Sequence, residues 1–360
     1  MSNKSRFRWR YIMTDAAEIV LNEKWCNDLD NKNIPPSHEP DSRDGRIYHM
    51  TPELKTAIKV ALITCQPLLL LGLPGVGKSS LAAYIARNLG WRYYEHVVTA
   101  RTEAKDLLYT YDAVRRLAEA QVTINDAPAD RQARLNPGLF IEPGVFWWAI
   151  NRQSALRRGM NADQDPSAPQ EPNAELNQKR PCDKAVILID EIDKADPDVP
   201  NNLLVALGSH VFEVSETGQT VRSKASAIDK NGLARLLIVI TTNQERDLPR
   251  AFLRRCIIHE LVLPDGEDDF VNHLTKIAEL HREQDRIDHS DEEKKIAEAV
   301  AKKLFEWRQE AKVKQLRPPG TAEYLDAVRA CRILKINPDD QDQTWKMVAE
   351  MTLKKRTDSP

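Results

Sequence analysis

A glycine-rich loop between an apolar run and a helical pattern constrains the fold of this chain more than any other segment. The apolar run Leu68–Leu71 predicts a buried strand, and residues 81–89 carry apolar side chains at helical spacing. Between them the chain reads GLPGVGKS, which matches the pattern GxxxxGK(S/T). Strand, loop and helix in this order form a cradle in which backbone N–H groups and the helix N-terminus bind an anion. We therefore expect an α/β fold, a parallel sheet with helices on both faces, with a phosphate site at its edge.

The end of this loop supplies the groups that a nucleotide needs. Lys78 is expected to reach the β- and γ-phosphates, and the hydroxyl of Ser79 is expected to bind Mg²⁺. A glycine-rich turn without a ligand is the alternative, but the flanking strand and helix favour phosphate binding. The residues expected to contact the nucleotide are Gly72, Pro74, Gly75, Val76, Gly77, Lys78, Ser79 and Ser80.

A second apolar run ends in two carboxylates. Residues 186–189 predict another buried strand, and Asp190 and Glu191 follow it directly. Ligands of open α/β sheets bind at the carboxyl ends of the strands. We therefore expect Asp190 to bind Mg²⁺, directly or through water, and Glu191 to polarise an attacking water. Alone, the pattern is also typical of a strand that ends in a solvated acidic turn. Asp193 is expected to be a cap or interface residue and not a ligand.

A third apolar run, residues 236–240, ends in Thr241, Thr242 and Asn243. An amide beside the strand of Asp190 can orient a hydrolytic water against the γ-phosphate, so Asn243 is a candidate catalytic residue. An asparagine in a turn is the alternative. The combination of three such strand ends favours the catalytic interpretation.

These three strand ends together resemble those of the AAA+ ATPases, and within that superfamily the chain is similar to the MoxR-like group. The resemblance covers about residues 48–335. The glycine loop and the Asp-Glu pair are specific for a P-loop NTPase, whereas the MoxR assignment depends on less specific segments. These are residues 106–112, 140–148, 189–195, 243–255 and 317–325.

The resemblance implies a ring, usually a hexamer, with ATP bound between neighbouring subunits. It also implies an arginine that reaches the γ-phosphate of the next subunit. Arg255 is the candidate for this role and Arg254 the reserve, with Cys256 standing where the family usually has Phe. The family's second sensor arginine aligns with Glu323 here. Either Arg317 reaches the nucleotide instead, or the role is absent.

The function implied by the resemblance is Mg²⁺-dependent ATP hydrolysis coupled to remodelling of a protein partner. MoxR-like proteins commonly act with proteins that contain a von Willebrand factor A domain. Two alternatives stay open: a nucleic-acid-directed AAA+ motor or loader, and a slow-turnover signalling switch. A predicted hairpin over residues 212–221 carries Glu213 and Glu216 against Arg222 and Lys224. This balance does not favour nucleic acid.

Composition agrees with a cytoplasmic protein that binds no membrane. Lys and Arg total 52 against 54 Asp and Glu, so the near-neutral charge gives no general reason to expect nucleic acid as a partner. No apolar stretch reaches the roughly 18 residues of a membrane span, and the basic N-terminus precedes no apolar signal region. The five cysteines form no CxxC pair, which indicates reduced thiols and no zinc site.

The chain is expected to have four parts. Residues 1–46 form an extension with a short helix near residues 14–25 and a linker, and residues 47–263 form the nucleotide-binding subdomain. Within it, the proline-rich residues 151–184 predict a weakly structured, mobile surface insert. Residues 264–335 predict a helical lid. Residues 336–360 predict a separate C-terminal helix and a polar tail.

Overall fold

The structure of the protein is a computed structural model. It describes residues 45–160, 168–180, 183–223, 226–229, 231–285, 291–338 and 342–353. The helix expected near residues 14–25 lies outside the described residues, as does nearly all of the predicted extension over residues 1–46.

Five strands form the central sheet, in the order β2-β5-β8-β1-β9, and two further pairs of strands form small antiparallel sheets, β3 with β4 and β6 with β7. The strands are, in chain order, β1 (Leu68–Leu71), β2 (Arg92–Val97), β3 (Tyr109–Tyr111), β4 (Ile141–Pro143), β5 (Ala185–Asp190), β6 (Val211–Val214), β7 (Gln219–Arg222), β8 (Leu236–Thr241) and β9 (Ile257–Glu260).

The strands that carry the predicted site residues, β1, β5 and β8, pair in parallel within the central sheet. β5 runs parallel to β2 and to β8, and β8 runs parallel to β1, with Leu70 opposite Thr241. The side chains of β5 are buried along its whole length, as expected of a strand covered on both faces. The carboxyl ends of β1, β8 and β5 therefore lie at one edge of the sheet.

Helices connect and flank these strands, and longer helices follow the last strand, so the predicted α/β fold with a helical C-terminal region is confirmed. The helices are, in chain order, α1 (Pro52–Thr64), α2 (Lys78–Leu89), α3 (Ala104–Leu108), α4 (Ala113–Val122), α5 (Pro128–Arg134), α6 (Val145–Ile150), α7 (Arg152–Ala155), α8 (Ala174–Asn177), α9 (Asp198–Asn202), α10 (Leu204–Ser209), α11 (Arg250–Leu253), α12 (Glu267–Asp285), α13 (Asp291–Lys314), α14 (Thr321–Leu334) and α15 (Gln343–Thr352).

The chain divides into two compact units. Unit 1 contains Pro52–Leu70 and Ile85–His259, and unit 2 contains Leu71–Tyr84, the residues from Glu260 onwards and the described residues 45–51. The predicted boundary at residue 263 lies close to the observed change of unit. The sequence predicts that residues 47–263 form a single subdomain. The glycine loop, however, belongs to the unit that carries the C-terminal helices.

In unit 1, the small sheets join through three aromatic side chains. The ring centroids of Tyr109, Trp147 and Phe212 lie 5.8 to 6.4 Å apart. The hydroxyl of Tyr109 accepts a hydrogen bond of 3.0 Å from the N–H of Ser215, and Lys105 pairs with Glu216 at 2.7 Å. The β6–β7 hairpin, which the sequence predicts over residues 212–221, is thus attached near its turn to β3 and α3.

The segment over residues 151–184 differs from the weakly structured insert that we expect. Where it is described, it contains α7 and α8 and attaches to β2 through buried polar groups. Glu171 accepts from the hydroxyl of Tyr94 at 2.7 Å and pairs with Arg152 at 2.6 Å. The side chain of Asn177 bonds both the N–H and the C=O of Tyr93. These bonds satisfy edge-strand groups that a solvated loop would leave to water.

The C-terminal helices of unit 2 form one core. Phe270, Leu274, Val300, Leu304 and Tyr324 are buried from α12, α13 and α14. α15 adds its buried face to this core, with Trp345, Ala349 and the following Leu353. The indole of Trp345 is only 2% exposed, so this helix contributes a large apolar surface to the packing. The tail predicted as a separate part from residue 336 is therefore packed with the lid helices as far as it is described.

His273 of α12 is expected to make unit 2 less stable in mild acid. Its ring lies edge-on to that of His49, 4.9 Å away, and burial, with the neighbouring His49 charge, lowers the pKa of His273 from 6.5 to about 4. The folded form favours the neutral ring, so this contribution is complete above pH 6.5 and is lost as the pH falls towards 4. We expect the melting temperature to fall between pH 7 and 5 by a few degrees less in His273→Gln than in the wild type.

His281→Gln, at an exposed position of the same helix, is the control. An equal pH response in wild type and His273→Gln would contradict the expectation.

Candidate nucleotide site

The glycines of the loop after β1 adopt backbone conformations that other residues rarely take. The φ angles are 142° at Gly72, 82° at Gly75 and 93° at Gly77. A Cβ on Gly72 would lie 2.7 Å from the carbonyl oxygen of Leu261, so this position also excludes a side chain by contact. The loop is therefore a glycine-dependent cradle, as GxxxxGK(S/T) predicts, and it fits a phosphate group.

Lys78 begins helix α2 directly after the loop. Its side chain is buried, and its ammonium group donates to the carbonyl oxygens of Gly72 at 2.7 Å and Leu73 at 2.9 Å. Ser79 and Ser80 follow in the first turn, where the helix dipole places partial positive charge. The loop thus holds a positive group at the helix start, where an anion binds.

Residues before α1, which the sequence analysis did not assign to the site, contact the loop within unit 2. The ring of Tyr48 lies 3.4 Å from the position of a Cβ on Gly77, and it tilts against the ring of Tyr84 with centroids 5.7 Å apart. Burial raises the pKa of Tyr48. A Cβ on Gly45 would lie 2.4 Å from the backbone of Ala83, so this segment runs against the first turns of α2. The signal in the sequence is an aromatic residue, Tyr48, a few positions before Pro52, at which α1 begins.

Glu323, which aligns with the second sensor arginine of the family, contacts the glycine loop. Its carboxylate accepts from the N–H of Gly320 at 2.9 Å and lies 3.0 Å from the position of a Cβ on Gly75. The next contact is backbone to backbone, from the N–H of Ala322 to the carbonyl of Gly75 at 3.1 Å. Arg317 pairs with Glu323 at 3.6 Å. The start of α14 is therefore attached to the loop through a carboxylate and backbone groups.

In unit 1, Thr241 at the end of β8 joins the two acids that end β5. Its hydroxyl donates to Asp190 at 2.6 Å and accepts from the N–H of Glu191 at 2.8 Å. Both Asp190 and Thr241 are buried. Thr241 was not among the predicted site residues, although a polar residue after a run of buried apolar ones was the signal for it. Its bonds set the direction in which the chain leaves β5.

Glu191 leaves the strand in a left-handed conformation, with a φ of 61°. For a residue other than glycine, this costs on the order of 1–3 kcal/mol and is concentrated at functional sites. One carboxylate oxygen accepts from the side-chain amide of Asn243 at 3.0 Å, and the other pairs with Lys194 at 2.6 Å. The hydrogen bond to Glu191 raises the pKa of Lys194. Glu191 and Asn243 are therefore in direct contact, and Lys194 is a third member that sequence reasoning missed.

Asp193 fixes the loop that carries Asn243. It is buried, and its carboxylate accepts from the N–H of Asn243 at 3.4 Å and of Glu245 at 2.9 Å. Asp193 was expected to be a cap or interface residue. In the structure it instead connects the segment after β5 to the loop after β8. Two short helices, α9 and α10, follow Asp193 in the chain.

Arg254 and Arg255 lie at the end of α11 with exposed side chains. Arg255, two residues beyond the helix, donates to the carbonyl of Ala251 in α11 at 3.3 Å. Cys256 is buried, its thiol donates to the carbonyl of Phe252 at 3.5 Å, and burial raises the pKa of the thiol to about 12. Cys256 therefore packs inward, and the two arginines face solvent.

The structure brings together the acids and Asn243 in unit 1, and the glycine loop with Lys78 and Ser79 in unit 2. Among the described residues, no group of three or more His, Cys, Asp and Glu side chains has the arrangement of a metal site. Within the same residues, none of the helices has the length and apolar character that crossing a bilayer requires.

A family model described as the AAA domain of the dynein-related subfamily matches residues 67–256, from β1 to the end of α11 and more than half of the chain. The chain belongs to this family. It is an AAA+ ATPase, and the match contains the loop, the two acids, Asn243 and both arginines. No curated protein matches the chain.

Solved structures with a similar arrangement share little sequence with this AAA+ protein. NtrX from Brucella abortus is 13% identical, with 89% of this chain and 58% of that chain covered and a TM-score of 0.44. A point mutant of Thermotoga maritima RuvB is 17% identical, with 86% and 80% covered and a TM-score of 0.38. Domain III of the Thermotoga maritima replication initiation protein DnaA is 12% identical, with 87% and 97% covered and a TM-score of 0.39. The chain thus spans little more than half of NtrX, and these scores are too low to inform its function.

Proposed function

We propose that this AAA+ protein hydrolyses ATP with Mg²⁺ at the subunit interfaces of a homo-oligomeric ring, a hexamer in the usual manner of the superfamily, and uses the cycle to remodel a protein partner. The observation that carries the proposal is the contact between Glu191 and Asn243. It joins a carboxylate and an amide at the ends of two adjacent parallel strands, β5 and β8. The neighbour of β8 on its other side is β1, which leads into the glycine loop.

In this proposal the loop binds the phosphates. Backbone N–H groups from Gly72 to Gly77 and the start of α2 face the anion, and the ammonium group of Lys78 exchanges its bonds to carbonyl oxygens for bonds to phosphate oxygens. Such an exchange leaves no positive charge unpaired in either state. The ordered position of Lys78 lowers the entropy that is lost on binding.

Ser79 and Asp190 would hold the magnesium ion, since a hydroxyl and a carboxylate are the oxygen ligands that this hard cation prefers. When bound, the ion neutralises charge on the phosphates. Asp190 is buried and is held in place by the hydroxyl of Thr241. Ser80 and the loop residues Pro74 and Val76 would shape the cradle around these groups.

Glu191 would accept the proton of the attacking water, and Asn243 would orient that water. The two side chains are 3.0 Å apart, so one water can contact both. Lys194 neutralises Glu191 and would have to release it for the carboxylate to act as a base. This pairing supports a step in which Glu191 is freed before hydrolysis, and the left-handed backbone at Glu191 aims the carboxylate towards Asn243.

The MoxR-type role follows from the sequence resemblance, and the dynein-related AAA family contains the MoxR proteins. A protein with a von Willebrand factor A domain is accordingly the proposed type of partner. Against a nucleic-acid motor, the cation of Lys105 beside the hairpin is already neutralised by Glu216 within unit 1. Against a slow switch, the carboxylate of Glu191 lies in contact with the amide of Asn243, as the proposed hydrolytic step requires.

The arginine of the neighbouring subunit provides the test of the ring. We expect Arg255→Ala to retain ATP binding and to lose roughly 1,000-fold in turnover, because an arginine finger stabilises charge only in the transition state. Mixing Arg255→Ala with Lys78→Ala subunits should partly restore the rate, since some interfaces then combine an intact loop with an intact arginine. ATPase rates and native mass are measured over a range of protein concentrations.

Arg254→Ala is the matched control, since its side chain is equally exposed and adjacent. A defect confined to Arg254→Ala would move the finger to that residue. A monomer whose rate per subunit is independent of concentration, or mixed subunits without any rescue, would count against the ring.

A further inference from the structure

Helix α4 exposes its apolar side chains. Val114, Leu117 and Val122 are 80%, 64% and 69% exposed, and Ile124, just beyond the helix, is 65% exposed. No residue of α4 is buried. Val114 and Leu117 are three residues apart, and Val114, Ala118 and Val122 are four apart, so these side chains share one side of the helix. We call Val114, Leu117, Val122 and Ile124 the outer face of α4.

The opposite side of α4 is polar and makes the contacts with the rest of unit 1. Arg116 donates to the carbonyl of Leu135 at 3.2 Å and to the hydroxyl of Tyr111 at 3.2 Å. Glu119 pairs with Arg134 at 2.7 Å, and Thr123 at the helix end is buried. A surface helix ordinarily buries its apolar side and exposes its polar side. Here the arrangement is reversed, so the outer face of α4 is a contact surface that the described residues of the chain leave uncovered.

The positive charges near the outer face are engaged by the protein itself. The guanidinium of Arg115 lies over the ring of Phe140, 5.4 Å from its centroid. Arg134 pairs with both Glu119 and Asp126. Nucleic-acid binding depends on cations that replace counterions along the phosphate backbone. An uncharged apolar face whose neighbouring arginines are paired is instead suited to an apolar part of another protein.

The size of the outer face indicates what kind of protein segment it takes. Together the four side chains expose roughly 500 Å², which is the size of apolar patches that are often functional on monomers. A stable interface between two folded proteins covers about 800 Å² on each partner. The helix has ten residues and spans about 15 Å. The face therefore matches one short segment and is too small for a dimer of its own.

We propose that the outer face of α4 binds an apolar, uncharged polypeptide segment, about two to three helical turns long, of the protein on which this ATPase acts. The inference rests on the proposed function only for the identity of that protein as the remodelled partner. The binding itself needs no hydrolysis. It makes a polypeptide, and not a nucleic acid, the ligand of this surface.

Immobilised 12-residue peptides that tile the sequence of lysozyme test the proposal, because they range from apolar to strongly charged. The full chain is applied with and without ATP, beside a spot of single-stranded dT20. We expect binding to follow the apolar content of the peptides, with little binding to dT20. The double variant Val114→Glu, Leu117→Glu should lower the peptide signal by at least about tenfold, because two apolar contacts are lost.

Val313→Glu is the matched control, since Val313 is an 85% exposed apolar residue on α13 and should retain the wild-type pattern. Circular dichroism of the double variant should be unchanged, because both replaced side chains face solvent. Peptide binding that ignores apolar content, that persists in the double variant or that is weaker than binding to dT20 would overturn the proposal. A lower native mass of the double variant would also overturn it, since the face would then join two copies of this chain.

The Lys78→Ala variant separates this inference from the proposed function. Selective peptide binding by Lys78→Ala and by the wild type, with no ATPase activity in either, would leave the outer face of α4 supported and refute the hydrolytic cycle. Normal ATPase activity of the double variant, with its peptide binding lost, would locate the defect at the outer face alone.

Discussion

Replacing Lys78 with alanine is expected to weaken ATP binding by roughly 100-fold, which corresponds to about 3 kcal/mol. The ammonium group is buried in the loop beside the carbonyl groups of Gly72 and Leu73, and in the proposed complex it faces phosphate oxygens. Its removal takes away a charge-assisted bond from a site with little water to replace it. The dissociation constant of a fluorescent ATP analogue, measured with Mg²⁺ present, gives the result directly.

Lys295→Ala is the control, because Lys295 is an exposed lysine on α13 and outside the loop. It should bind the analogue as the wild type does. Circular dichroism shows whether Lys78→Ala is folded, since a buried side chain is removed. If folded Lys78→Ala binds ATP as tightly as the wild type, the assignment of residues 72–79 as the phosphate site is wrong.

Replacing Glu191 with glutamine is expected to leave ATP bound and to lower turnover by about 100- to 10,000-fold, the range for loss of a general base. The amide keeps the shape of the carboxylate and can still bond Asn243, but it cannot accept a proton from water. The bond to Lys194 is weakened as well, because the pair loses its negative partner. Binding of the ATP analogue and the steady-state rate of phosphate release are measured on the same preparation.

Glu245→Gln is a close control for that variant. Glu245 follows Asn243 in the same loop and has an exposed side chain, so neutralising it changes the local charge and leaves the proposed base intact. Its turnover should lie near that of the wild type. Normal turnover in Glu191→Gln would remove Glu191 from the mechanism, and equal losses in both variants would assign the effect to charge in the loop.

The elements around the site were predictable where a short segment carries a complete pattern. β1, β5 and β8 lie within one residue of the apolar runs that predict them, and α2 follows the glycine loop as expected. The hairpin of β6 and β7 was also predicted, whereas the sheet of β3 and β4 and the helices beside it were not. α4 carries its apolar residues at helical spacing, a pattern that ordinarily predicts a buried apolar side. In the structure this side is exposed, because the polar side of the helix forms hydrogen bonds with residues 111, 134 and 135.

In the lid, the helices could be predicted from the sequence but their long-range contacts could not. Its helices follow from periodicity, whereas the contact of Glu323 with Gly75 joins residues about 250 positions apart in the sequence. Nothing in the spacing of either segment indicates such a pair. The same holds for Tyr48 against Gly77, which depends on where the segment before α1 returns to the loop.

The amino-acid sequence by itself determined the glycine loop, the acidic strand end and the class of this protein. These properties depend on local patterns: glycines that permit positive φ, a lysine at a helix start, and carboxylates directly after a buried strand. Only the tertiary structure decided that Thr241 and Lys194 hold the two acids, that Asp193 anchors the loop of Asn243, and that α4 faces outward with its apolar side. These features depend on hydrogen bonds and ion pairs between segments that are distant in the sequence. Local sequence patterns do not determine which distant segments come into contact.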